Sequence, residues 1–160
     1  MKALVIYDSV FGNTEKIAQA IGAALGETGA SVQVVRVTDI KPDSLPGVEL
    51  LLVGSPTRGF RATKPTSEFL KSIPGDSLKE VKVTAFDTRM ALEDVNSGIL
   101  NFMVKIFGYA AEPIAQKLVR KGGALLLPAE GFIVKASEGP LKDGELERAA
   151  GWAKQAAAKA

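Results

Sequence analysis

The stretch from Ala3 to Thr14 limits what this chain can fold into more than any other. Ala3-Leu4-Val5-Ile6-Tyr7 is an apolar, partly β-branched run with the length of a buried strand. Asp8 to Asn13 turns the chain, and a helix begins at once, with Ile17, Ile21, Ala24 and Leu25 at helical spacing. A helix that starts directly beyond a strand leaves its first backbone N–H groups unpaired, at the positive end of its dipole. Such an end is a seat for a phosphate. The hydroxyls of Ser9 and Thr14 and the amide of Asn13 can supply further donors to the anion. The plainer alternative is an ordinary turn in which Ser9 or Asn13 caps the helix.

The rest of the chain repeats the alternation of strand and helix. Val32–Val37, Val48–Gly54 and Val81–Phe86 read as strands, and Ala124–Leu127 as a fifth that resumes at Gly131–Val134 past Pro128. Thr66–Ser72 reads as a short helix. Ile99–Lys121 reads as mostly helical with a break at Gly108 or Pro113, and a last helix starts at Gly144 or Glu145. This order predicts an α/β fold: a three-layer, doubly wound, five-stranded parallel sheet. Right-handed crossovers favour the strand order 2-1-3-4-5. That order puts a ligand crevice at the carboxyl ends of strands one and three. No repeat or linker divides residues 1–160, so one domain is expected.

Composition removes whole classes of chemistry. The chain has no cysteine and no histidine, which excludes thiol nucleophiles and the usual zinc and non-haem iron sites. Hydride and single-electron chemistry lie beyond the remaining side chains, so a redox role requires a cofactor. A formal charge of +2, with acids and bases interspersed, gives no footprint for nucleic acid. Asp8 interrupts the leading apolar run too early for a secretory segment, and no stretch suits membrane insertion, so a cytoplasmic location is expected.

Tyr7-Asp8-Ser9-Val10-Phe11-Gly12-Asn13-Thr14-Glu15-Lys16-Ile17-Ala18 resembles the phosphate loop of the flavodoxin-like family, which holds the phosphate of FMN. The resemblance makes Ser9, Val10, Phe11, Gly12, Asn13 and Thr14 the phosphate-side residues. Phe11 departs from the family pattern, which has a hydroxyl there. Gly54-Ser55-Pro56-Thr57-Arg58-Gly59-Phe60 is similar to the second flavin loop, and its Pro-Thr-Arg run is closest to the quinone-reductase branch. The resemblance places Pro56, Thr57 and Arg58 against the isoalloxazine, with the Arg58 guanidinium stacked where many flavodoxins have tryptophan. It also gives the Gly59–Phe60 peptide a carbonyl that turns towards flavin N5 on one-electron reduction. Phe60 either stacks on the ring or anchors the loop in the core. Phe86-Asp87-Thr88-Arg89-Met90 corresponds to the third loop, which makes Asp87, Thr88 and Arg89 ring-edge contacts with Met90 beside them. No tyrosine follows in the loop 87–97, which leaves the outer ring face either open or covered by Tyr109 or by a partner.

The function implied by the resemblance is that of an FMN-binding electron carrier between protein redox partners, a reductase and an acceptor, with no catalytic side chain of its own. The alternatives are an FMN-dependent NAD(P)H:quinone oxidoreductase and a binding module that has lost its flavin. Arg58, Arg61, Lys64 and Arg89 fall in the loops expected to face the ring. One cation ~6 Å from flavin N1 at an effective dielectric of ~20 would stabilise the fully reduced anion by about 3 kcal/mol, on the order of 100 mV. Ile99, Phe102, Met103 and Ile106 form one helical stripe, widened by Leu100, Phe107 and Tyr109. Core packing is the expectation for this stripe, with a docking patch or a homo-oligomer interface as the alternative. Trp152, Leu146 and Ala149 are expected to pack the last helix onto the sheet.

Overall fold

The computed structural model describes residues 1–92 and 97–160. β1 (Lys2–Tyr7) lies centrally, hydrogen-bonded to β2 (Ser31–Arg36) on one side and β3 (Leu50–Pro56) on the other. Next to β3 comes β4 (Lys82–Met90), then β5 (Ala124–Leu125), in the order β2-β1-β3-β4-β5. β6 (Glu130–Val134) also pairs with β4, against Phe86–Met90, while β5 pairs with Lys82 and Val83. Every one of these pairings is parallel. The fold is the doubly wound sheet that the sequence predicts, with the fifth strand split around Pro128.

Strand alternation sorts the core into two halves. Ala3, Val5, Tyr7, Leu50, Leu52 and Phe86 face α1 (Asn13–Glu27) and α5 (Glu145–Lys159). Leu4, Ile6, Leu51, Val53, Val83 and Ala85 face α2 (Lys64–Ser72) and α4 (Ala111–Arg120). On the first side Phe86, Phe132 and Trp152 meet edge to face, with centroids 6.0–6.4 Å apart, an arrangement aromatic quadrupoles favour. Gly54 stands where a Cβ would run into the Phe86 ring, so this close approach requires glycine in β3. Trp152 and Ala149 are buried as expected, but Leu146 is exposed, one position off the inward stripe of α5.

Two further expectations differ from the structure. Asp87, Thr88 and Arg89 are strand residues, not loop residues, because β6 continues the ladder beside β4 as far as Met90. Residues 93–96 of the expected loop 87–97 lie outside the described residues. The long helical region does break at Gly108, giving α3 (Gly98–Phe107) and α4. Yet no residue of α3 is buried, so its apolar stripe is not core.

The start of α5 is fixed by one carboxylate. Glu145 Oε2 accepts from the Ile133 N–H at 2.6 Å, and Arg148 donates to both of its oxygens, at 2.9 and 2.7 Å. Burial alone would raise the Glu145 pKa, but Arg148 and the Ile133 amide outweigh it and hold the carboxyl below its ordinary value. A depressed folded-state pKa contributes stability above the unfolded value, and that stability is lost as pH falls through the folded one. Glu145→Gln should therefore cost about 1–2 kcal/mol in urea unfolding at neutral pH. The deficit should shrink when the same titration is run below about pH 4.

Candidate functional site

Beyond Tyr7 the sheet gives way to a cleft of about 650 Å3 at the carboxyl ends of β1, β3 and β4. Its first wall begins at Asp8, a carboxylate only 7 % exposed. Burying that charge is tolerable only if donors surround it. Three do: the Ser9 N–H at 2.9 Å, Arg36 from the end of β2 at 3.2 Å, and the Thr63 hydroxyl at 2.6 Å. Arg36 also donates to the Ser9 carbonyl at 2.9 Å and lies 3.6 Å from Glu15. Asp8 thus ties the first turn to β2 and to the residue before α2.

Held in this way, the turn enters α1 through Gly12, in the left-handed region at φ 90. No side chain caps the helix, so the alternative reading of Ser9 or Asn13 as its cap does not hold. The Ser9 hydroxyl oxygen instead accepts from Gly12 N–H at 3.0 Å, which leaves its own proton to donate elsewhere. Asn13 Nδ2 donates to the Glu138 carbonyl at 3.0 Å, and the buried Thr14 hydroxyl pairs with that of Thr88 at 2.8 Å. Ser9, Val10, Phe11, Asn13 and Thr14 line the cleft; the Gly12 backbone shapes the turn without lining it. The arrangement offers the amides at the start of α1 and free hydroxyl donors to an anion.

The second wall is Pro56 to Phe60, all of which line the cleft. Arg58 and Arg61 exchange backbone hydrogen bonds of 2.8 and 3.2 Å across Gly59 (φ 54) and Phe60 (φ 67). Two consecutive positive φ values are those of a tight type I′ turn. For Phe60 that conformation is uncommon and strained, and it holds the ring against Phe107 at 5.7 Å. The Arg58 guanidinium lies 5.3 Å from the Phe11 centroid, so Phe11, where the sequence pattern lacks a hydroxyl, bridges the first and second walls.

The third wall contains Thr88, Arg89 and Met90. Asp87, expected beside them, is fully buried behind the cleft. Its carboxylate takes a two-pronged bond from Arg89, at 2.6 and 2.7 Å, and the Ala111 N–H at 2.9 Å. Burial pushes the Asp87 carboxyl up in pKa, against the pull of Arg89 and that amide. Arg89 is 3.7 Å from Glu112 and stacks on Tyr109 at 3.8 Å. Its charge is therefore matched within the protein. Arg58, Arg61 and Lys64 are exposed, where solvent and salt screen them.

Tyr109 lines the cleft. So do Leu100 and Val104 of α3 and Val134, Ser137 and Glu138 after β6. Sequence reasoning singles out none of Ser97, Val104, Val134, Ser137 and Glu138 as site residues. The contact of Gly139 and Glu138 with Asn13 brings that segment in, across 125 positions of sequence in the case of the Glu138 bond, and nothing local signals it.

A family model described as flavodoxin matches residues 5–152. The structure of a flavodoxin from the domain Archaea is similar over 99 % of this chain and 98 % of its own, at 26 % identity and a TM-score of 0.78. Two-electron reduced flavodoxin from Megasphaera elsdenii is similar at 25 % identity, 99 % of each chain and a TM-score of 0.70. Oxidised flavodoxin 2 from Bacillus cereus superposes over the whole of both chains at 22 % identity and a TM-score of 0.77.

Thr63→Val should remove a donor from the buried Asp8 and cost about 1–3 kcal/mol in denaturant unfolding, since the carboxylate is left underpaired. Thr63→Ser, which keeps the hydroxyl, should recover most of it.

Proposed function

Because the chain belongs to the flavodoxin family, we propose that it binds FMN in this cleft and carries electrons between protein redox partners. The observation that supports this best is the uncapped N-terminus of α1 opening into the cleft, with Ser9 and the helix amides as phosphate donors. FMN supplies the one- and two-electron chemistry that no side chain here can perform. The chain's own residues bind and present it. Ser9, Val10, Phe11, Asn13 and Thr14 would hold the phosphate side, with the Gly12 backbone fixing the turn. Pro56 to Phe60 would flank the ring on one side, and Thr88, Arg89, Met90 and Tyr109 on the other. Asp87 acts one step back, by holding Arg89 against Tyr109.

Freshly purified protein should be yellow and release FMN on denaturation. It should accept electrons from an added flavoprotein reductase and show no steady NAD(P)H oxidation with a quinone when none is added. Colourless protein that takes up no FMN would reject the reading, and sustained turnover without a reductase would convert it to that of a quinone oxidoreductase.

With Arg89 neutralised by Asp87, electrostatic tuning of the ring falls to Arg58 of the second wall. Arg58→Gln should lower the second reduction potential by tens of millivolts, roughly the scale of a solvent-screened unit charge, and less so at high salt. A redox titration reads the shift directly.

A further inference from the structure

Eleven large hydrophobic side chains are exposed among the described residues, and seven of them lie on the first cleft turn or on α3. That is a patch, not scatter. Ile99, Phe102 and Ile106 form an outward stripe, 75 %, 63 % and 58 % exposed. The neighbouring stripe, Leu100 and Val104, turns into the cleft. Asn101, by contrast, is half-buried, and its Oδ1 is buried without a hydrogen-bond partner. A helix that hides an amide and exposes isoleucine and phenylalanine has its apolar face directed at something outside the chain.

Charge says what kind of surface that is. Phe107, at the end of α3, packs on Phe60, and Phe60 is the tip of the turn between Arg58 and Arg61. Both arginines are exposed, as is Lys105, and no acidic residue lies within α3. An apolar strip is thus bordered by cations, two of which are held in a hydrogen-bonded turn of fixed geometry. Size narrows the choice further. Ten helical residues span ~15 Å, and a face ~10 Å wide gives a footprint of roughly 150 Å2. Even with the turn added, this is well short of the ~800 Å2 per partner of a stable complex, and it suits a transient encounter.

We propose that α3 and the Arg58–Arg61 turn form the docking face for a protein redox partner that presents an apolar patch bordered by aspartate and glutamate carboxylates. The proposal rests on the electron-carrier reading and names the partner's chemistry. The cations steer the encounter, and the apolar stripe, continuous with the cleft wall through Leu100 and Val104, seats the partner beside the mouth where electrons leave.

The test uses a reduced acidic [2Fe–2S] ferredoxin as the probe and the FMN-loaded protein as the acceptor, followed by stopped flow. One electron leaves the cluster and one enters the flavin, and no bond forms or breaks. The second-order rate constant should fall about tenfold between ~0.02 and ~0.5 M salt. Phe102→Asp and Ile106→Asp should each lower it about tenfold, a loss typical of a buried interface anchor, while FMN affinity and reduction by dithionite stay unchanged. Arg61→Glu should lower it and flatten the salt dependence. A rate constant indifferent to salt and to all three substitutions would overturn the proposal while leaving the carrier reading intact. Co-sedimentation with phosphatidylserine vesicles that Phe102→Asp abolishes would overturn it in favour of a lipid surface. A dimer in sedimentation velocity that the same substitution dissociates would overturn it in favour of a second copy. Protein that takes up no FMN overturns both readings at once.

Discussion

Asp8 holds the structure's working end together. A carboxylate at the end of a central parallel strand sits in a place where an unpaired charge would be costly. Its three donors come from the next residue, from the neighbouring strand and from the chain entering α2. Because those donors belong to separate elements, satisfying one charge fixes the relative positions of all of them. Beyond that clasp α1 starts at Gly12 with no side-chain cap, at the edge of the cleft.

The same logic recurs behind the third wall, with a different outcome. Asp87 and Arg89 neutralise one another out of solvent, with Glu112 nearby, and together they brace Tyr109. Removing one partner of such a buried pair is costly, whereas replacing both by apolar groups of similar volume is often neutral. Near the cleft mouth, Arg58 and Arg61 on the turn and Lys105 on α3 are exposed. Arg58 belongs to both settings, lining the cleft beside Phe11 while standing exposed on the turn, whereas Arg61 and Lys105 face outward only.

The sheet, its strand order and the first turn were legible because they rest on local patterns: apolar runs, period-2 and period-3.6 spacing, and glycine at sharp turns. The ends of β3 and β4 were not. Ser55, Pro56 and Asp87 to Arg89 are polar or helix- and sheet-breaking in isolation, and only pairing across β3, β4 and β6 makes them strand. The burial of Asp87 was hidden for a similar reason, since its second partner, the Ala111 amide, lies 24 positions along the chain. For α3 the spacing correctly gave a helix, but spacing alone does not say whether an apolar face meets the core or the solvent.

The central claim is that the start of α1 grips a phosphate. The most direct measurement is the affinity of the flavin-free protein for FMN against riboflavin, which differs from FMN only in lacking that group. Two or more charge-assisted hydrogen bonds to the phosphate predict FMN bound at least about a hundredfold more tightly, roughly 3 kcal/mol. Equal affinities for the two flavins would contradict the account.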